Sequence, residues 1–136
     1  MPNVFKKSKV ALLLMFVPIF AILLTQFIIK VSSHEKPKNL EQCWALLELH
    51  LQPDELEEVK STDKNELVKF HFTIGRYIKR HWIVKGDAEL LEFFDSAGIE
   101  SKDAKMAIII DTFWRHLNDK PIDVEERIQH YRNLQP

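Results

Sequence analysis

The stretch VALLLMFVPIFAILLTQFII, residues 10–29, holds no charged side chain, and only Thr25 and Gln26 within it are strongly polar. A helix rises about 1.5 Å per residue, so such a run reaches roughly 30 Å, the thickness of a bilayer's hydrocarbon core. Pro18 would be costly in a soluble helix, but spanning helices accommodate proline. A helix buried in a soluble core fits poorly, because the run is apolar on every side and flanked by lysine at both ends. Residues 10–29 are therefore expected to be a transmembrane anchor, preceded by a basic cytoplasmic tail, residues 1–9.

A cleaved signal peptide is the rival reading, with a basic start and the small residues Val31-Ser32-Ser33 as a place to cut. Against it, the run exceeds the usual apolar segment of about 7 to 15 residues, and Lys30 stands between the run and the cut. Lys6, Lys7 and Lys9 precede the run while Lys30, Lys36 and Lys38 follow it, so the positive-inside rule favours a cytoplasmic N-terminus only slightly. The short leading tail, with nothing to translocate, points the same way. The expectation is a single-pass protein of the inner membrane whose C-terminal domain lies on the periplasmic side. Cleavage would instead give a secreted or soluble periplasmic form.

Charge is divided unevenly. Residues 1–30 carry Lys6, Lys7, Lys9 and Lys30 and no acid, so the remaining 15 Lys and Arg against 20 Asp and Glu leave residues 31–136 at −5. A mildly acidic domain is a poor nucleic-acid binder, because attraction to phosphates needs a basic excess. Cys43 is the one cysteine of the chain; it falls on an apolar helical position and reads as a small buried hydrophobe.

Residues 30–38 read as a polar linker, followed by a helical domain over 39–136. Asn39 is a good N-cap with Gln42 as reciprocal partner. Leu40, Cys43, Trp44, Leu47 and Leu51 then follow the spacing of one buried face. Pro53 opens a short acidic helix. Asp63 and Glu66 form another capping box and start the longest expected helix, with Leu67, Phe70, Ile74, Ile78 and Trp82 on one side. Lys85-Gly86 breaks it and Asp87 caps the next helix, whose inner face is Leu90, Leu91 and Phe94. Gly98 stands where a left-handed C′ residue is wanted, with Ile99 as its apolar contact. Ser101 caps a helix with Met106, Ile109, Ile110, Phe113 and Leu117 inward. Asp123 and Glu126 open the last, with Val124, Ile128, Tyr131 and Leu134 inward. The expected architecture is all-α: an anchor followed by a compact bundle of about five helices.

The segments FHFTIGRYIKRHW (70–82), LLEFFDSAGI (90–99) and AIIIDTFWRHLNDKPIDVEERIQHY (107–131) together resemble an uncharacterised family of small bacterial helical domains. That family runs His-Phe-x-x-Gly, Ile-Arg-x-x-Trp, a Leu…Phe pair, Gly-Ile, and finally Phe-x-Arg-x-Leu. The chain departs from this pattern at Lys85, where a second Trp is expected, and at Lys79-Arg80-His81, which replaces Arg-Asn-Asn. Of an Asp-Asp-Met-Ser turn only Asp103 remains. The resemblance implies a helical fold and a bacterial source, and no activity, since the family's function is unknown.

Among polar residues the strongest cluster is Arg76, Lys79, Arg80, His81 and Lys85. Arg76, Lys79 and Arg80 share a helix face, which suits docking of an acidic partner, a phospholipid headgroup or phosphate. The simpler reading is a solvated face that complements the helix dipole. His71, between Phe70 and Phe72, could serve as base or switch, although no carboxylate lies at helical spacing to help it. Trp82, Trp114, Arg115 and Asp103 complete the candidate surface. Large aromatics in so small a domain are more often core, and Asp103 near a helix start is most simply a dipole partner. The histidines show no metal-binding spacing, the three glycines form no phosphate-cradling loop, and neither a cofactor nor a metal is expected.

Two main classes of function follow, beside a third, structural one, a membrane-surface scaffold whose basic stripe faces lipid headgroups. One is a non-enzymatic, membrane-tethered interaction module with a protein partner, an immunity-type protein being one case. The other is a small-ligand binder or enzyme, which requires His71, Arg76, Asp103 and Arg115 to converge on one concave pocket.

Overall fold

The computed structural model describes residues 18–19, 21–22 and 35–135. The chain divides into two units, Met1–Glu35 and Lys36–Pro136. In the first, Pro18, Ile19, Ala21 and Ile22 are helical; the rest of the expected anchor lies outside the described residues. Among the described residues no helix is long and apolar enough to cross a membrane.

Among the described residues the second unit has helices as its only regular elements. It contains α1 (Leu40–His50), α2 (Pro53–Ser61), a 3₁₀ helix (Lys64–Phe72), α3 (Ile74–Ile78), a π turn (Lys79–Ile83), α4 (Ala88–Ser96), α5 (Lys102–Leu117) and α6 (Val124–Asn133). The unit begins earlier than the expected end of the linker. Pro37 is fully buried, and the Lys38 backbone N–H donates to Gln42 Oε1 at 2.9 Å.

Helix α5 is the axis of the domain. It packs on α1, α2, the 3₁₀ helix, α3, the π turn and α6, and every residue from Lys105 to Trp114 is buried. A helix enclosed on all sides has no solvated face to keep polar, which explains why Ile108 joins Ile109 and Ile110 inside. Trp82, Ile78, Leu47, Phe94 and Ile128 close around it. Each large apolar side chain removed from water contributes roughly 1.5 to 3 kcal/mol. Leu134, expected to point inward, is instead exposed, since it lies just past the end of α6.

The caps follow the local chemistry. Asn39 accepts from the Gln42 N–H at 2.9 Å, Ser101 from Ala104 at 3.3 Å, and Asp123 from Glu126 at 2.9 Å. Gly98 has φ +74°, and the Ile99 N–H donates to Phe94 O at 2.9 Å, the long bond that closes a left-handed helix terminus. Ile99 itself is fully buried.

The long helix expected from Asp63 to Trp82 is not continuous. Asp63 caps Asn65, at 2.9 Å, and opens a 3₁₀ helix rather than an α-helix. At Thr73 the backbone turns to φ −112°, ψ −93°, and the Thr73 hydroxyl donates to Phe70 O at 3.4 Å. Such local side-chain bonds compete with the helical ladder. Gly75 then lets the chain approach α5 closely: a Cβ there would lie 2.5 Å from Met106 Sδ. The helix ends in a wide turn, with the Val84 N–H donating to Lys79 O at 2.9 Å. That five-residue step buries Trp82 and Ile83 side by side and returns Val84 and Lys85 to the surface.

Candidate functional site

The segmentation of residues 64–85 builds an open concavity on the domain's surface. Phe72 ends the 3₁₀ helix, Arg76 lies on α3, Lys79 and Arg80 lie on the π turn, and Val84 and Lys85 follow it. With His71 behind them and Asp103 and Met106 opposite on α5, they line an open groove of about 620 Å³. π turns are rare and concentrate at functional sites; here Arg80 on the turn and Lys85 beyond it line the same groove.

Four cations and one acid face this groove. Lys79 Nζ lies 2.6 Å from Asp103 Oδ1, so the acid is already partnered. Arg76, Arg80 and Lys85 make no ion pair among the described residues. Beside these charges sit two apolar side chains that folding leaves in water, Phe72 at 73% exposure and Val84 at 55%. His71 is partly buried, and desolvation lowers its pKa below the ordinary histidine value, with the Asp103 charge opposing that shift. The sequence offered no carboxylate near His71 along its own helix; the one that acts on it comes from α5.

Six of the residues singled out from sequence therefore meet in one place: His71, Arg76, Lys79, Arg80, Lys85 and Asp103. The other four do not. Trp82 is buried in the core. His81 turns to the side and packs on Tyr77, with ring centroids 4.7 Å apart. Trp114 is buried, donates its indole N–H to Thr62 O at 2.9 Å, and carries Lys120 over its ring at 4.6 Å.

Arg115 belongs to a separate buried ion network around Asp111. Arg115 Nε bonds Asp111 Oδ1 at 3.1 Å, Arg127 Nη1 lies 3.8 Å from Oδ2, and the Tyr131 hydroxyl reaches Oδ2 at 3.5 Å. Burial and the Asp111 charge raise the Tyr131 pKa well above the phenolic range. The Asp111–Arg115 pair at helical i, i+4 spacing was a readable signal that Arg115 has a structural partner. Of the four residues expected to converge on one pocket, His71, Arg76 and Asp103 line the groove and Arg115 lies apart from it.

Cys43 is fully buried, and burial holds its thiol well above the usual cysteine range; it is a core residue. Among the described residues no group of His, Cys, Asp and Glu is arranged to hold a metal ion.

A family model described as a domain of unknown function, DUF6794, matches residues 36–117, a span that includes α1 to α5 and every residue of the groove but leaves α6 outside. No curated protein and no solved structure matches the chain.

Proposed function

The chain belongs to the DUF6794 family, and from that premise we propose that it is a membrane-anchored, non-enzymatic interaction module that docks an acidic partner protein in its cationic groove. The observation that carries this reading is the groove itself. Three cations without an ion-pair partner among the described residues stand beside exposed Phe72 and Val84, whereas folding alone favours pairing charges and covering large apolar side chains. Arginine and exposed aromatic side chains are the residue types that contribute most to protein–protein interfaces.

The tethered half of the proposal rests on the sequence. Twenty consecutive uncharged residues, 10–29, match a bilayer in length, and the four of them that are described are helical. In this reading the module is a single-pass protein of the inner membrane with its domain on the periplasmic side. A reaction at the groove has less support, because Asp103, the acid whose charge acts on His71, is held by Lys79.

Cell fractionation with alkaline extraction, combined with protease treatment of spheroplasts, tests the tether. The intact chain should remain with membranes and its domain should be cut from outside. Recovery of the full-length chain from cytosol would overturn it. Co-purification with the full-length chain tests the docking: an acidic protein should be captured, and lost when Arg76→Glu and Arg80→Glu are combined.

A further inference from the structure

A second cleft adjoins the groove, and the two share one wall residue, His71. That second cleft, of about 330 Å³, is lined by Lys64, Asn65, Val68, Ile110, His130 and Tyr131 among others, and His71 lines both. The 3₁₀ helix connects them: Lys64 stands at its start in the second cleft and Phe72 at its end in the groove. A 3₁₀ helix rises about 2 Å per residue, so these ends lie ~16 Å apart. An extended chain at about 3.3 Å per residue covers that distance with five residues.

We propose that the two clefts form one track for an extended peptide segment of five or six residues, acidic where it meets Arg76 and Arg80 and apolar where it meets Val68 and Phe72. This rests on the docking function above and specifies the chemistry and conformation of what is docked. The charge argument is direct. Arg76, Arg80 and Lys85 at one end, with Lys64 at the other, face the partner, while Asp103 and Asp111 are already bound to Lys79 and Arg115. The apolar argument is equally local. Val68 and Phe72 are both exposed large hydrophobics, at 59% and 73%, one in each cleft. Asn65 supplies an amide that can both give and accept a hydrogen bond, as an extended backbone requires. A compact anion such as phosphate would use the cations and leave both apolar side chains and the second cleft empty.

Isothermal titration of the full-length chain in non-ionic detergent tests the track, the probe being a capped hexapeptide of four acidic and two large apolar residues. Binding is expected to weaken about tenfold when the two apolar residues become serine. It should also weaken about tenfold with Arg80→Glu in the groove and with Val68→Asp in the second cleft, each worth ~1.4 kcal/mol. Both sites are exposed, and unchanged helicity in circular dichroism keeps the comparison clean; Lys60→Glu on α2 should leave binding as it was. Insensitivity to Val68→Asp, equal binding of the serine peptide, displacement by equimolar inorganic phosphate, or preferential binding of anionic phospholipid vesicles would each overturn the proposal. If the hexapeptide fails to bind while charge-dependent capture of a partner persists, the track is wrong and the docking function stands; if both fail, both fall.

Discussion

Lys79 Nζ and Asp103 Oδ1 lie 2.6 Å apart and join the π turn to the first turn of α5 across the mouth of the groove. Both side chains are largely solvent-exposed, so the pair contributes about 0.2 to 1 kcal/mol to stability. Its larger effect is on the charge presented to a ligand. Lys79→Ala releases a carboxylate into a cationic groove, while Asp103→Ala releases an ammonium. The two substitutions should therefore shift affinity for an acidic peptide in opposite directions, weaker for Lys79→Ala and tighter for Asp103→Ala, with little change in thermal midpoint for either. Titration calorimetry beside a melting curve separates the two effects; shifts of the same sign would mean the pair acts through structure.

His71 makes the fold sensitive to mild acid. Its pKa in the folded protein is lowered, chiefly by burial, so the unfolded chain binds the proton more tightly. Stability is unaffected by this group above its ordinary value of about 6.5. As pH falls below that value the unfolded state takes up protons first, and stability declines until the folded-state pKa is passed. His71→Gln should flatten the dependence between neutral pH and pH 5. Urea midpoints measured across that interval for both proteins check it, and parallel curves would exclude His71 as the source.

Asp111 holds two arginines in the interior. It is 3% exposed, and Arg127 is buried with its Nε already lacking a hydrogen-bond partner. Asp111→Ala leaves Arg115 without its counter-charge and removes from Arg127 the buried one of its two acidic partners, the other being Glu126, and loss of one partner of a buried pair costs about 3 to 5 kcal/mol. Denaturant unfolding should show a loss of that order. Replacing Lys38, whose pair with Glu89 is exposed, should change stability by less than about 1 kcal/mol.

Gly98 occupies the left-handed region at φ +74°, and a Cβ there would meet Arg132 Nε at 3.3 Å. Gly98→Ala should destabilise the domain by about 1 to 2 kcal/mol, whereas Gly98→Asn, better suited to that conformation, should lose less. Equal losses would place the cost in the contact with Arg132 rather than in the backbone.

Much of this arrangement was readable from local chemistry. Gly98-Ile99, Ser101 and Asp123 announced helix ends because each capping interaction is completed within a few residues. Arg76, Lys79 and Arg80 were readable as one cationic face because their spacing places them together on any helix. The break at Thr73 and the π turn at Lys79–Ile83 were not, since both satisfy a helical apolar pattern and depend on how closely Gly75 and Trp82 pack against α5. For the same reason Trp82 and His81 could not be assigned to core and flank from spacing alone. Asp103 meeting Lys79, and Tyr131 and Arg127 meeting Asp111, join residues far apart in the chain. Such contacts are set by tertiary packing and leave no short-range trace.

Photo-crosslinking at Phe72, the most exposed aromatic of the groove, tests the docking surface most directly. A photoreactive phenylalanine analogue at this position in the native cell should yield a discrete adduct with an acidic protein, and Arg76→Glu with Arg80→Glu should abolish it. An adduct that survives both charge reversals, or crosslinking to lipid alone, would contradict the assignment of this groove as the site where a protein partner docks.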